Sequence, residues 1–166
     1  PQKDHANLVA AFKVVKKNRR YQSTGVVGSG MDEENKEFSL LIQNANLNDQ
    51  ITLCGPRSDI SSIMNALDIH VLASSFGEAF PNVLNEAMAC GTPCVATNVG
   101  DSAHIIGGTG EICAPSDSTS LALSIHKMVI RLDEKGLPEA CRQQIVDNFS
   151  LDGMIQSYTQ IWAATG

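Results

Sequence analysis

The 166-residue chain has the length and composition of a single globular domain, with 43% hydrophobic and 18% charged residues. Those proportions exclude disorder as the main state, and a net charge of −6 gives no basic surface for nucleic acid. The one basic cluster, made of Lys13, Lys16, Lys17, Arg19 and Arg20, follows a predicted helix, where cations suit the helix dipole. We therefore expect no nucleic-acid partner.

No apolar run reaches the length of a membrane span, and the segment Pro1–Asp4 does not open a signal peptide. Any membrane contact is expected to be peripheral, and the expected location is cytoplasmic, with the inner face of the membrane as an alternative. The cysteines show no Cys-x-x-Cys pair and no zinc spacing, which predicts reduced, buried thiols. They are Cys54, Cys90, Cys94, Cys113 and Cys141.

In chain order, a helical pattern at Asp4–Val15, with Asp4 as N-cap, is followed by alternating β-rich and helical segments. Such alternation favours βαβ crossovers and predicts an α/β fold, a Rossmann-like parallel sheet flanked by helices. The predicted strands are Thr24–Val27, Ile51–Cys54, Ile69–Ala73, Pro93–Thr97 and Glu111–Ala114, and the helices between them lie around Asn35–Ala45, Asp59–Ala66 and Asn82–Ala89.

Three amphipathic patterns, Ser118–Leu132, Pro138–Phe149 and Leu151–Ala164, predict a helical C-terminal tail. In the last of these, Trp162 fits a core position slightly better than a contact with another domain. A doubly wound domain normally opens with a strand, whereas this chain opens with a helix. We therefore expect a strand upstream of Pro1.

The segment Gly25-Val-Val-Gly28-Ser-Gly30 follows a predicted strand and partly fits the dinucleotide pattern G-x-G-x-x-G. The third glycine is missing, and the acidic run Asp32–Glu34 follows directly. Three carboxylates would repel a pyrophosphate, whereas they satisfy a helix N-terminus without any ligand. The interpretation without a cofactor is therefore favoured.

The most informative stretch runs from Ser74 to Gly100, directly after the predicted strand Ile69–Ala73. Pro81 suits the first position of a helix, and Gly91 suits its left-handed end. The helix therefore begins just beyond the carboxyl edge of the sheet, where open α/β sheets bind ligands.

The unpaired N–H groups of Asn82, Val83 and Leu84 are expected to point out of this helix and form an anion site that fits a diphosphate. Glu78 and Glu86 flank this site, and carboxylates are good acceptors for sugar hydroxyls. A plainer interpretation also fits, in which Glu86 is a surface residue of an amphipathic helix and Glu78 a loop acid.

The spacing from Glu78 to Glu86 resembles the E-x7-E signature of retaining GT-B glycosyltransferases of the glycosyl transferases group 1 family. The resemblance implies that residues 1–166 are the C-terminal, nucleotide-sugar-binding domain of such an enzyme, with the N-terminal acceptor domain and the first strand absent. Further matches are Gly91-x-Pro93-x-Val95-x-Thr97, Val99-Gly100, Lys3-Asp-His-x-Asn-Leu, Asp68-Ile-x-Val-Leu and Gly108-x-Gly110.

The resemblance implies a role for each matched residue. Glu86 would hold the ribose hydroxyls, Glu78 would contact the transferred sugar, and the amides of Asn82 and Val83 would bind the diphosphate. Lys3 would neutralise the leaving diphosphate, a role that needs a cation where negative charge develops. Otherwise Lys3 is a solvated N-terminal lysine.

Other positions complete the expected donor site. Phe80 and Leu84 lie inside the signature, and Gly55-Pro56-Arg57 stands where the family packs the nucleobase. Arg57 fits a surface arginine almost equally well. His104 stands where relatives often carry an acid, and a packing or surface role is expected for it.

The expected reaction is sugar transfer with retention from a UDP-, GDP- or ADP-sugar to a glycan or lipid-linked acceptor bound by the absent domain. No D-x-D motif is present, so neither a metal nor another cofactor is expected. The fragment alone is expected to transfer little or nothing. The alternatives are a non-catalytic nucleotide-binding or assembly module and a GT-B-fold sugar-nucleotide epimerase.

Overall fold

The computed structural model describes residues 2–16 and 23–165, so Lys17, Arg19 and Arg20 of the basic cluster lie outside the described residues. Every predicted strand and helix is confirmed, with each boundary within one residue of the prediction, and the short helix α5 is an addition. The helices are α1 His5–Val15, α2 Lys36–Asn44, α3 Ile60–Ala66, α4 Asn82–Ala89, α5 Ser102–Ile106, α6 Ser118–Arg131, α7 Leu137–Phe149 and α8 Leu151–Thr165. The strands are β1 Thr24–Val27, β2 Ile51–Gly55, β3 His70–Leu72, β4 Cys94–Thr97 and β5 Glu111–Cys113.

Helix α1 begins where the sequence predicts, because Asp4 caps it. The Asp4 carboxylate accepts a hydrogen bond from the Asn7 amide at 3.3 Å, which satisfies one of the first N–H groups of the helix. Val9, Ala11 and Val15 are buried, so the helix turns one apolar face to the sheets.

The parallel pairing is confirmed, but the described strands form two sheets instead of one. Strand β1 pairs with β2, and a separate sheet has the order β3-β4-β5. All of these pairs are parallel, as βαβ connections require. Within residues 2–16 and 23–165 no strand pairs the first sheet with the second, so β1 and β3 each keep an open edge.

Each sheet has its own hydrophobic core. The larger core surrounds β3–β5 and takes in Leu84, Val95, Ile105 and Met128, all fully buried. All four residues of β4 are buried, as expected for a central parallel strand. The smaller core lies around β1, β2 and α2, and the side chain of Phe12 packs against both.

The predicted helical tail is confirmed, but its last helix is exposed. An apolar stripe on α8 is solvent-accessible, and Trp162 at 71% exposure is not a core residue, so that expectation is wrong. The reason is that α8 contacts little besides α7. The stripe consists of Leu151, Met154, Ile155, Tyr158, Ile161 and Trp162. None of the described helices is long and apolar enough to cross a bilayer.

Two of the five cysteines depart from the expectation of burial. Cys54 is exposed and Cys90 is half-buried, whereas Cys94, Cys113 and Cys141 are buried. Side chains alternate along β2, and Cys54 lies with Thr52 on the exposed face of this strand, where it lines a large cavity. Burial raises the pKa of the Cys113 thiol to about 11, helped by the charge of Asp117, so this thiol stays protonated at neutral pH.

Candidate functional site

The predicted site lies in the loop that leaves β3 and leads into α4. Ser74, the second residue after the strand, is fully buried, and its hydroxyl donates a hydrogen bond to Glu78 Oε1 at 2.6 Å. The Thr97 hydroxyl, at the end of β4, donates to the Ser74 carbonyl oxygen at 2.5 Å. The carboxyl ends of two neighbouring strands therefore hold the Glu78 carboxylate in place.

Lys3 and Glu78, which are 75 positions apart in the chain, form an ion pair. Lys3 Nζ donates to Glu78 Oε1 at 2.5 Å, with the Glu78 side chain 11% exposed and the Lys3 side chain 49% exposed. Gln2 holds the same loop, because its side-chain amide donates to the Gly77 carbonyl oxygen at 3.0 Å. The start of the chain thus brings the two predicted catalytic residues together.

The surroundings keep the Glu78 carboxylate ionised. Partial burial would raise its pKa, but the hydrogen bonds from Lys3 and Ser74 and the positive charge of Lys3 more than offset this, so the pKa is lowered. An ionised carboxylate accepts hydrogen bonds only. Glu78 is therefore suited to accept from hydroxyl groups and unsuited to donate a proton at neutral pH.

The first turn of α4 differs from the prediction in two details. Pro81 is the N-cap, one position before the helix, and the Leu84 amide donates to the Pro81 carbonyl oxygen at 3.0 Å. The helix opens with a tight i→i+3 turn that uses this amide, and the Leu84 side chain is fully buried. The expectation that the Leu84 amide is unpaired is therefore wrong. Asn82 and Val83 precede that bond, at the positions where a helix lacks partner carbonyls.

Glu86 lies four residues after Asn82 on α4, one turn further along, and its side chain is exposed. It lines a cavity of about 1430 Å³ together with Lys3, Val83 and Arg57. The cavity reaches from the carboxyl edges of the strands down into the gap between β1 and β3. Its volume exceeds the range of about 300–1,000 Å³ that is typical of ligand pockets.

The remaining predicted residues stand around this edge. Gly55 ends β2 with φ +62, a conformation that favours glycine. Arg57 is exposed and pairs with Asp59 through two hydrogen bonds of 2.8 and 2.6 Å. Phe80 packs edge-on against Phe149 of α7 at a centroid distance of 5.6 Å, so its ring is partly used in packing.

The glycine-rich segment and His104 carry no sign of catalysis. The carboxylate of Asp32 accepts from the Glu34 amide at 3.2 Å, and α2 starts only at Lys36, so the acidic run belongs to a self-bonded loop. His104 packs edge-on against Phe149 at 5.3 Å, in agreement with the predicted packing role. In the described part of the chain, no three His, Cys, Asp or Glu residues lie close enough to share a metal ion.

The sequence analysis assigned no role to four residues that contact the Glu78 loop, Gln2, Ser74, Thr97 and Gly100, although Thr97 and Gly100 belong to motifs that the resemblance matched. The positions of Ser74 and Thr97 offered a signal, since each is a hydroxyl residue at the carboxyl end of a predicted strand, where parallel sheets place their sites. The contacts of Gln2 and Gly100 with the Glu78 loop span long sequence separations that local patterns do not encode.

Comparison with known proteins agrees with this fold and site. The family model described as "Glycosyl transferases group 1" matches residues 1–144. The chain belongs to the glycosyl transferases group 1 family. This confirms the resemblance inferred from the E-x7-E spacing.

Three similar proteins illustrate the match. N-acetyl-alpha-D-glucosaminyl L-malate synthase of Bacillus anthracis is 29% identical over 125 residues, which are 74% of this chain and 32% of that protein. A glycosyltransferase structure from Rickettsia africae has a TM-score of 0.86 at 28% identity, covering 98% of this chain and 44% of the other. Anabaena HepE, crystallised with UDP, shares the fold with a TM-score of 0.85 at 23% identity, covering 99% and 46%. The chain therefore spans less than half the length of each.

Proposed function

We propose that this chain is the donor-binding half of a retaining glycosyltransferase and binds a nucleoside diphosphate sugar. The observation that carries the proposal is the convergence of Lys3, Glu78, Glu86 and the first turn of α4 at the carboxyl edge of β3. The similarity to a synthase whose name describes an N-acetylglucosaminyl product supports sugar chemistry.

Each group has a proposed part in binding the donor. The Glu86 carboxylate accepts from the ribose hydroxyls, and the amides of Asn82 and Val83, aided by the helix dipole, bind the diphosphate. Glu78, already an ionised acceptor, contacts the hydroxyls of the transferred sugar. Leu84 contributes to the position of α4 through its buried side chain instead of through its amide.

Lys3 supplies the positive charge for the leaving diphosphate. An ammonium group has three donors, of which Glu78 takes one, so two remain for phosphate oxygens. Placing this charge beside the leaving group stabilises the transition state without a metal ion, and we propose metal-independent transfer with no other cofactor. Gly55 and Arg57 would form the wall for the nucleobase, and Phe80 would border the sugar.

The acceptor side is proposed to lie outside this chain. Because the chain spans less than half of each similar protein, a partner half of comparable length would carry the glycan or lipid-linked acceptor. The exposed apolar stripe of α8 is the surface that we assign to that contact. A cytoplasmic location, with peripheral contact at the inner membrane face, belongs to this proposal.

We also propose that a further parallel strand, from polypeptide upstream of Pro1, fills the gap between β1 and β3. Backbone groups of successive strand residues point to alternate sides. The amides of Thr24 and Gly28 donate towards β2 at 2.7 and 3.0 Å, so those of Gly25 and Val27 face the gap.

On the opposite side of the gap, β3 also has a backbone amide that faces the gap. The His70 amide donates to the Pro93 carbonyl oxygen at 3.0 Å on the β4 side, so the Val71 amide faces the gap. The Ser75 amide donates to the Gln2 carbonyl oxygen at 2.8 Å, which puts the chain's start at the carboxyl end of the gap. Residues preceding Gln2 would therefore run parallel to β1 and β3.

Two further observations support the added strand. His70 Nε2 and Gln50 Oε1 are buried on the cavity wall without a hydrogen-bond partner among the described residues, which is costly in a completed core. Doubly wound sheets of the strand order 3-2-1-4-5-6 place their first strand between the second and the fourth. A strand inserted between β1 and β3 gives that order.

The test of donor binding is calorimetric titration with UDP, GDP, ADP and their common sugar derivatives. It is made on this chain and on a longer polypeptide that includes the proposed upstream strand and acceptor-binding half, called the longer polypeptide below. We expect one nucleotide to bind and Glu86→Ala to weaken it about tenfold or more, because charged hydrogen bonds to hydroxyls are each worth about 1.5–3 kcal/mol. Glu139→Ala is the matched control, since Glu139 is also an exposed helical glutamate but lies on α7.

Each other outcome contradicts part of the proposal. No binding by either polypeptide, or equal binding by wild type and Glu86→Ala, overturns the donor site. Binding without sugar transfer under any acceptor condition indicates a nucleotide-binding or assembly module. Conversion of the sugar nucleotide to its epimer without an acceptor indicates an epimerase.

A further inference from the structure

The turn between β4 and α5 packs directly on the backbone of the Glu78 loop. The Asp101 amide donates to the Ala79 carbonyl oxygen at 2.8 Å, and the Cα of Gly100 lies against the Glu78 carbonyl group. We propose that Gly100 is a positioning residue that sets where the Glu78 carboxylate stands relative to Lys3. This inference rests on the proposed donor site and names a residue that acts on it from outside.

Gly100 is required at this point for two independent reasons. Its φ of +56 lies in the left-handed region, which residues with a side chain rarely adopt. A Cβ at this position would lie 2.5 Å from the Ala79 carbonyl oxygen and closer still to the Glu78 carbonyl oxygen. Both atoms belong to the backbone and cannot rotate away, so any side chain at Gly100 must displace the loop.

Such a displacement would reach the Glu78 carboxylate because the loop is held from its other sides too. The buried Ser74 hydroxyl and the Lys3 ammonium group both bind Glu78 Oε1, and Gln2 binds the Gly77 carbonyl oxygen. A loop with contacts on every side has one position that satisfies them all. Moving it from the Gly100 side lengthens the bonds on the opposite side.

Helix α4 is held mainly by the larger core. Leu84 and Met88 are fully buried there, so core packing sets the position of the helix that carries Glu86 more than the turn at Gly100 does. The two ends of the donor would therefore respond differently to a side chain at Gly100. The sugar end would lose its alignment, and the nucleotide end would keep its contacts.

Gly107 provides a control that is matched in φ. It also has φ +56, with ψ −134, and a Cβ there would meet only the end of the flexible Gln144 side chain, at 2.9 Å from Nε2. Alanine at Gly107 therefore places a side chain at positive φ without pushing on the Glu78 loop. A loss of sugar affinity confined to the Gly100 variants is assigned to the contact with the loop.

The experiment compares Gly100→Ala with Gly107→Ala, and Gly100→Asn with Gly107→Asn, since asparagine occurs at positive φ more often than alanine. Each is titrated with the nucleoside diphosphate that the wild type binds and with its sugar derivative. For the Gly100 variants we expect nucleotide Kd within about twofold of wild type and loss of the extra affinity for the sugar form. In the longer polypeptide, kcat should fall by about 10²-fold, the effect of a misplacement of about 1 Å.

The pH profile adds a measurement that a purely structural role would not move. As Glu78 separates from Lys3 and Ser74, its pKa should rise towards the usual value, so the acidic limb of activity shifts to higher pH in the Gly100 variants only. Equal sugar affinity, kcat and pH profile in the Gly100 and Gly107 variants would overturn the positioning role. So would a result in which only the Gly107 variants fold. Absence of sugar-nucleotide binding in the wild type would instead overturn the proposed function.

Discussion

The two sheets of this domain differ in how completely they are built. The β3–β5 sheet has a fully buried central strand and a large core formed with α4, α6 and α7. The β1–β2 sheet has only two strands and a smaller core with α2. The more complete β3–β5 sheet carries the residues of the candidate site that follow strand β3, namely Ser74, Glu78 and Glu86.

This division matches what each side of the proposed donor site would have to do. The reacting sugar and diphosphate need groups fixed to within a fraction of an ångström, which a rigid, well-packed sheet provides. The nucleobase lies far from the reacting bond, and small changes in its wall alter selectivity more than rate. Gly55 and Arg57, on the β2 side, are therefore the positions at which we expect relatives to differ in base preference.

The largest expected effect comes from removing the charge of Glu78. In the longer polypeptide, Glu78→Gln should lower kcat by about 10³-fold, equivalent to about 4 kcal/mol, because the sugar loses an ionised acceptor and Lys3 loses its partner. Affinity for the nucleoside diphosphate should stay within about threefold. A steady-state transfer assay combined with titration of the nucleotide measures both.

Glu139→Gln, on the exposed first turn of α7, is the control for this substitution and should leave both quantities unchanged. Full transfer activity in Glu78→Gln would remove Glu78 from the catalytic role while leaving the donor site in place. A parallel loss of nucleotide binding would mean that the loop and α4 are coupled, against the separation of sugar and nucleotide ends inferred above.

A smaller effect is expected at the boundary between the two sheets, where His70 lines the open gap. Burial and, to a smaller extent, the nearby charge of Lys3 lower the pKa of His70 to about 4. In the unfolded chain the pKa of this histidine is about 6.5. Above that pH neither the folded nor the unfolded state binds the proton, so the contribution of His70 to the free energy of unfolding keeps its full value. It is lost as the pH falls from about 6.5 to about 4, by up to about 3 kcal/mol.

Chemical denaturation of this chain between pH 7.5 and 4.5 measures that loss. His70→Leu should flatten the pH dependence of the free energy of unfolding in this window. The lowered pKa of Glu78 acts in the same direction but only below the usual carboxylate range. An unchanged slope in His70→Leu would show that another group dominates the titration.

Much of the fold follows from the sequence because hydrophobic periodicity is strong in every element. The E-x7-E spacing likewise predicts Glu78 and Glu86 at one helix start, since helix position follows directly from the strand before it. The resemblance gave Lys3 and Glu78 separate roles, and it did not predict their ion pair, whose residues are far apart in the chain.

Other features depend on geometry that residue patterns do not contain. Whether the Leu84 amide is unpaired depends on the tightness of the first helical turn, and the need for glycine at position 100 depends on a backbone approach from another loop. The exposure of Trp162 depends on what α8 packs against, which its amphipathic pattern does not specify. The division of the described strands into two sheets would be closed by the strand that we propose upstream of Pro1.

The smallest expected effect is a difference in amide exchange rate between the open edges of the two sheets and their paired sides. Hydrogen–deuterium exchange measures this rate for each amide. In this chain the amides of Gly25 and Val71, which face the gap, should exchange at least about tenfold faster than those of Val26 and Leu72, which bond to neighbouring strands. In the longer polypeptide, all four should be protected to a similar degree. Equal protection in this chain would mean that the edges are already covered, and no slowing at Gly25 and Val71 in the longer polypeptide would place the upstream segment elsewhere.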